Sequence, residues 1–204
     1  MQVKSLDYIN NLVNKEIKFI ENRVNVNFDY NPKIVGFNEV TGKTSPQVLS
    51  AGLVYIPENY NINLPLEIII RHELSHSLQW QKNKKVADVF FNRIFKNAYP
   101  ELFQAAYIEG FAKYLQRDDM DNPNFPYLNS NVNLLKFLED ESPNQGLRGN
   151  AGDCLYRGYC GSSIFFIAME KAKGRDHTIH YGLNELPESK EEYENVFLES
   201  WKKI

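Results

Sequence analysis

The run Leu64–Trp80 reads Leu-Pro-Leu-Glu-Ile-Ile-Ile-Arg-His-Glu-Leu-Ser-His-Ser-Leu-Gln-Trp and predicts a buried helix with Pro65 in its first turn. Residues four apart on a helix lie one turn above each other on the same face. His72 and His76 can therefore offer ring nitrogens to a single Zn²⁺ about 2.0–2.1 Å away. Glu73 lies on the neighbouring face, where it can act as the base for a metal-bound water. The alternative is a pair of core histidines beside a solvated glutamate.

A third ligand is needed, because a catalytic zinc normally takes three protein ligands and keeps a fourth position for water or substrate. Glu109 lies on a second predicted helix, from Pro100 to about Gln116, between apolar residues where an unpaired carboxylate would be costly to bury. Taken alone, it could equally be an ordinary surface glutamate. His177 and His180 are the other histidines, and we expect them to be solvated loop residues.

The two motifs together resemble the gluzincin metallopeptidases. His-Glu-x-x-His at residues 72–76 is followed by Glu-Gly-Phe-Ala-x-Tyr at residues 109–114. The second run is similar to the glutamate helix of the M1 aminopeptidases and related peptidase-MA-like proteins. The resemblance covers roughly Leu53 to the C-terminus. It implies an α+β, zincin-like metallopeptidase domain, with a small N-terminal β-sheet, the active-site helix and a mainly helical C-terminal lobe.

The chain also departs from the M1 enzymes. The interval of 32 residues between His76 and Glu109 is longer, so Lys82–Tyr99 should form an inserted helix or loop beside the cleft. At 204 residues the chain has no room for that family's accessory domains. It lacks the Gly-x-Met-Glu-Asn motif that binds the substrate amine, so aminopeptidase specificity is not implied.

The resemblance further implies a donor that holds the oxyanion of the tetrahedral intermediate. Tyr159 opens the segment Tyr159–Met169, which resembles the family's helix that starts Tyr-x-x-small and continues apolar. Tyr156, three residues earlier, is the alternative donor, and His177 and His180 are weaker ones. A tyrosine that only packs near a helix start would look the same.

Two β-branched, apolar stretches, Lys33–Phe37 and Val48–Ile56, are typical of strands. In the gluzincin fold an edge strand runs above the zinc and pairs with extended peptide. The resemblance makes Gly52–Tyr55 the expected strand at the cleft, although a buried central strand would have the same composition.

We expect one catalytic domain over residues 1–204, with an upper lobe about 1–82 and a lower helical lobe about 83–204. A linker around Asp118–Asn131 should separate the lobes. The remaining helices are predicted from apolar residues at helical spacing. They are Val3–Val24, Val132–Leu138, Gly158–Lys173 and Glu191–Lys203.

Composition and charge limit the classes of binding partner and the cellular compartment that we expect. The net charge of −3 and the lack of a basic cluster exclude a nucleic-acid footprint. The first helix is too charged for a signal peptide or a membrane span, so we expect a cytoplasmic protein without membrane contact. The sequence does not determine the oligomeric state, and we expect a monomer. A secreted mature form stays open. Cys154 and Cys160 are expected to be reduced thiols, with a small disulfide loop as the alternative.

The predicted function is a zinc-dependent metallopeptidase that hydrolyses a peptide or protein substrate. Zn²⁺ lowers the pKa of its bound water towards about 7, and Glu73 accepts the proton as the water attacks the carbonyl. Tyr159 stabilises the oxyanion, and Glu73 returns the proton to the leaving amine. The alternative is a catalytically inactive zinc-binding module that holds a peptide or protein partner. The substrate, endopeptidase or exopeptidase action and latency are left open.

Overall fold

A mainly helical α+β fold is seen in the residues that the computed structural model describes, which are 6–35, 47–56, 65–96, 98, 100–116 and 161–203. This confirms the predicted α+β class. The elements are α1 (Leu6–Val24), β1 (Lys33–Val35), β2 (Gln47–Ser50), β3 (Leu53–Tyr55), α2 (Leu66–Lys82), α3 (Lys84–Phe95), α4 (Leu102–Gln116), α5 (Gly161–Lys173), α6 (Arg175–Asn184) and α7 (Lys190–Trp201).

The three strands form one sheet in the order β1-β3-β2. β1 runs parallel to β3, whereas β2 runs antiparallel to it with an irregular register between Val48 and Ser50. The predicted strand Val48–Ile56 is therefore two strands, because a turn at Ala51 and Gly52 reverses the chain. The expectation that Gly52–Tyr55 is a peptide-pairing edge is wrong, since β3 is hydrogen-bonded on both sides.

Helix α2 is the element around which the others pack. It begins after Pro65, whose extended backbone (φ −55°, ψ 141°) places it at the N-cap and not inside the first turn as predicted. Most of its residues are buried, and it contacts the sheet, α1, α3, α4 and α6. It ends at Asn83, whose side chain accepts from the Val86 amide at 3.1 Å and so caps α3.

Side chains near the end of α2 fix it to the sheet. The Gln81 amide donates to the carbonyls of Tyr30 and Ala51 at 3.0 and 2.9 Å, and its oxygen accepts from the Asp29 amide at 2.7 Å. Ser77 Oγ also donates to the Ala51 carbonyl. These bonds satisfy loop backbone groups that would otherwise need water, and they set the position of α2 along the strands.

The sequence-based helix predictions can be compared with the described residues. Five are confirmed with boundary shifts of a few residues (α1, α2, α4, α5 and α7), and the insertion Lys82–Tyr99 contains helix α3. His177 and His180 are exposed as expected, but they lie on α6 and not in a loop. This helix is short, and only Thr178, Ile179, Gly182 and Leu183 are buried along it, so its apolar pattern is weak.

Other predictions about organisation are not tested. Val132–Leu138 and the linker around Asp118–Asn131 lie outside the described residues. The division into lobes at about residue 82, like the monomeric state, stays a prediction. Within the part of the chain that is described, no helix is both long and apolar enough to cross a bilayer.

A buried ion pair joins α1, α2 and α4. Arg71 Nε donates to Glu16 Oε2 at 2.7 Å, and Arg71 Nη1 donates to the Gln116 carbonyl at 3.0 Å. The Arg71 guanidinium lies 3.8 Å from the centroid of the Phe19 ring. The Gln116 side chain in turn donates to the Ile68 carbonyl at 3.1 Å. These contacts fix the end of α4 against the middle of α2. They therefore set the distance between the two helices, on which the positions of the residues next to Arg71 depend.

We predict that Arg71→Ala lowers the free energy of unfolding by about 3–5 kcal/mol, because the buried Glu16 would keep only the exposed Lys15, 3.8 Å away, as a charged partner. Urea denaturation followed by circular dichroism measures this. Lys85→Ala is the control, since Lys85 and Glu188 form an ion pair with side chains 53% and 76% exposed. An Arg71→Ala effect no larger than that of the control would contradict the assigned role.

Candidate metal centre

Two packed helices bring three predicted ligands together. His72 and His76 lie one turn apart on α2, and Glu109 lies on α4, which packs against α2. Glu109 Oε2 is 3.1 Å from His72 Nε2 and 3.3 Å from His76 Nε2, and the two Nε2 atoms are 3.1 Å apart. All three side chains are buried. The three residues form a group that could hold a metal ion.

The spacing of these atoms agrees with a shared cation. Ligands about 2.0–2.1 Å from a tetrahedral metal are separated from each other by about 3.3–3.4 Å, close to the three distances observed. A hydrogen-bonded cluster of two imidazoles and a carboxylate is the competing explanation. Among the described residues none forms a hydrogen bond with the buried Nδ1 of His76, whereas a ligating histidine usually donates from that nitrogen. The donor set fits a metal, and a partner that would orient the His76 ring is not seen among the described residues.

The electrostatics of the three groups also suit a cation. Burial lowers the pKa of His72 to about 4, so its ring is neutral at pH 7. Burial alone would raise the pKa of Glu109, but the neighbouring imidazoles, above all His76, hold that pKa well below its usual range. Burial likewise opposes protonation of His76, yet the Glu109 carboxylate outweighs it and raises the pKa of His76. The carboxylate therefore needs a positive partner, which a proton on His76 or a metal ion can supply.

Glu73 lies on the same helix, next to the first histidine. Its side chain is buried, and this burial raises the pKa of the carboxyl to about 7, with the Glu109 charge adding to the effect. A carboxyl with a pKa near neutrality can both take up and release a proton, as a general base and acid must. Glu73 is therefore buried beside a group that could bind a metal, and its role as the base stays a prediction.

Helix α3 forms a wall next to the metal group. The Phe90 ring packs edge-on against His76 with centroids 5.5 Å apart, and it stacks on Trp80 at 5.0 Å. A pocket opens between α3 and α4 and reaches Glu109. The sequence predicted an insertion here but not which of its residues line the pocket, because Phe90 and Arg93 belong to no motif. Besides Glu109 the pocket is lined by Val89, Phe90, Arg93, Pro100, Ala105 and Ile108.

Several predicted site residues are not covered by the structure. Tyr159, expected as the oxyanion donor, and its alternative Tyr156 lie outside the described residues, as do Cys154 and Cys160. The assignment of the donor and the redox state of the cysteines stay predictions. The other weak candidates, His177 and His180, are exposed on α6 and are not members of the group His72, His76 and Glu109 that could hold a metal.

Comparisons with known proteins do not identify the chain. No protein-family model matches it, and no curated protein or solved structure matches it either. The resemblance to the gluzincins therefore depends on two short motifs. The placement of Glu109 against the two histidines is a separate observation, because it comes from the packing of α2 on α4.

We predict that the purified chain, equilibrated with divalent metals and then dialysed, retains about one ion per chain. His76→Ala should lose it, because two ligands hold a metal much more weakly than three. Elemental mass spectrometry measures the content, and His180→Ala is the matched control on an exposed histidine. At a free metal concentration 100 times Kd, binding should also stabilise the fold by about 2.7 kcal/mol. Equal metal content in both variants would contradict the site.

Proposed function

We propose that the chain is a zinc-dependent metallopeptidase with a gluzincin-like, zincin-type active site. One observation carries this proposal: His72, His76 and Glu109 converge within hydrogen-bonding distance, and the buried Glu73 directly follows the first ligand. The order of motifs along the chain, with the base between two helix histidines and the third ligand on a later helix, supports the same assignment.

Zinc is the metal that the donor set favours. Two imidazole nitrogens and one carboxylate oxygen are typical of catalytic zinc sites that keep a fourth position open. Calcium and magnesium prefer oxygen ligands only, so a site with two imidazoles disfavours them. His72 is held neutral by burial, with its pKa lowered to about 4, so this nitrogen is available to a metal at physiological pH.

The residues of the chain then divide the reaction between them. Bound zinc would supply Lewis acidity, which makes water more acidic and polarises the substrate carbonyl. Glu73 would accept the proton from the attacking water, because a cation held by the neighbouring ligands would favour the ionised form of its carboxyl group. Glu73 then delivers this proton to the leaving amine nitrogen. Tyr159 remains the predicted donor to the oxyanion.

A peptide is the substrate class that the surroundings support. Within the described residues β2 is the sheet edge that contacts both α2 and α3, so it is the strand to which an extended peptide could add. β2 therefore takes the role that the sequence suggested for β3. The pocket between α3 and α4 reaches Glu109, so its mouth is a surface that a bound peptide could contact.

We predict that Glu73→Gln retains zinc and lowers kcat about 10²–10⁴-fold, because the amide cannot accept the proton. Cleavage of a fluorogenic peptide library by the zinc-loaded chain gives the rate, and elemental analysis gives the metal content. Glu67→Gln, on the first turn of the same helix, is the matched control and should leave both unchanged.

The possible outcomes separate the two functional classes. Full activity in Glu73→Gln would show that Glu73 is not the base and would contradict the proposed mechanism. A wild-type chain that holds zinc and binds peptides without cleaving any would instead favour the inactive binding module.

A further inference from the structure

The pocket between α3 and α4 is lined by one cationic residue, Arg93, one acidic residue, Glu109, and otherwise apolar side chains. Val89, Phe90 and Arg93 follow helical spacing along one face of α3, and Ala105, Ile108 and Glu109 do so along one face of α4. The two faces oppose each other across the pocket. Since Glu109 is also a member of the metal group, a ligand in the pocket would lie next to the reacting bond.

Arg93 is the charged residue of this pocket that has no part in the proposed mechanism. It is exposed, and no ion pair joins it to another of the described residues. Arg93 and the metal-group residue Glu109 line the same pocket. The guanidinium is therefore within electrostatic reach of the metal group while it remains open to a ligand.

We propose that Arg93 binds a carboxylate of the peptide substrate beside the scissile bond, so that Arg93 is a specificity-determining residue. This inference rests on the proposed function and deepens it by naming the substrate class. The planar guanidinium matches a carboxylate in a two-bond geometry. Apolar side chains line the same pocket beside the guanidinium.

Two kinds of substrate carry such a carboxylate. One is the free C-terminus, in which case the enzyme removes residues from the end of a chain. The other is an acidic side chain within a longer peptide. Both present the same chemistry to Arg93, and an amidated C-terminus distinguishes them because it removes the first without affecting the second.

A different role for Arg93 would leave a different kinetic signature. If its charge only adjusted the proton affinity of Glu73, its loss would change kcat for every substrate alike and would shift the pH profile. A substrate-binding arginine instead changes KM, and only for substrates that carry the carboxylate.

The experiment measures binding in the full zinc-loaded chain carrying Glu73→Gln, which leaves the peptides intact. Three probes are used: an acetylated Ala-Leu-Ala-Leu tetrapeptide with a free C-terminus, its C-terminal amide, and an amidated version that ends in Asp. Calorimetry gives Kd for each probe. The measurements are repeated with the Glu73→Gln chain that also carries Arg93→Gln, Arg93→Lys or the control substitution Lys84→Gln. Lys84 is an exposed cation at the start of the same helix.

We expect one of the two carboxylate peptides to bind about 10-fold to 100-fold more tightly than the neutral amide, as charge-assisted hydrogen bonds do. Arg93→Gln should remove this preference, Arg93→Lys should retain part of it, and Lys84→Gln should leave it unchanged. In wild-type hydrolysis the same preference should appear in KM. Equal Kd for acid and amide, absence of binding, or equal weakening of all three probes by Arg93→Gln would each overturn the inference.

These outcomes differ from a failure of the proposed function. If the wild-type chain cleaves no peptide but the Arg93-dependent carboxylate preference is seen, the pocket is a carboxylate site in a protein that does not hydrolyse. If the chain cleaves peptides without any such preference, the enzyme assignment stands and Arg93 has no part in specificity.

Discussion

The site depends on one constraint, which is that the Glu109 carboxylate is buried and must be neutralised. Only 7% of its surface is exposed, on a helix that is apolar on both sides of it. A charge in such a place is tolerated only when a cation lies against it. The packing of α4 on α2 supplies two imidazoles at 3.1 and 3.3 Å, and this arrangement offers a potential third ligand that two helix histidines alone would lack.

The rest of the described fold holds this arrangement in place. The Arg71 guanidinium ties α2 to Glu16 on α1 and to the end of α4 through the Gln116 carbonyl. Gln81 and Ser77 tie the opposite part of α2 to the loops of the sheet. Phe90 on α3 closes the side next to His76. Metal ligands need positions accurate to a fraction of an ångström, and several independent contacts provide this better than one.

The sequence was most informative about the candidate site where residues of suitable chemistry also have a spacing that fixes their geometry. The interval from His72 to His76 fixes a common helix face, and an apolar helix around Glu109 predicts a carboxylate that needs a partner. The hairpin of β2 and β3 was missed, because Ala51 and Gly52 interrupt the apolar run without a strong turn signal. Helix α6 was missed because its burial depends on tertiary contacts. The roles of Arg71 and Arg93 depend on which helices meet, and a single sequence does not contain that information.

The most direct measurement of the central claim is X-ray absorption at the zinc edge of the zinc-loaded, purified chain. The account predicts a first shell of nitrogen and oxygen at about 2.0–2.1 Å with the outer scattering of two imidazoles. Glu109→Ala should lose the carboxylate contribution while the imidazole scattering weakens or disappears with the metal. Sulfur scattering near about 2.3 Å would place the metal on cysteines and contradict the account, as would a chain that binds no zinc at all.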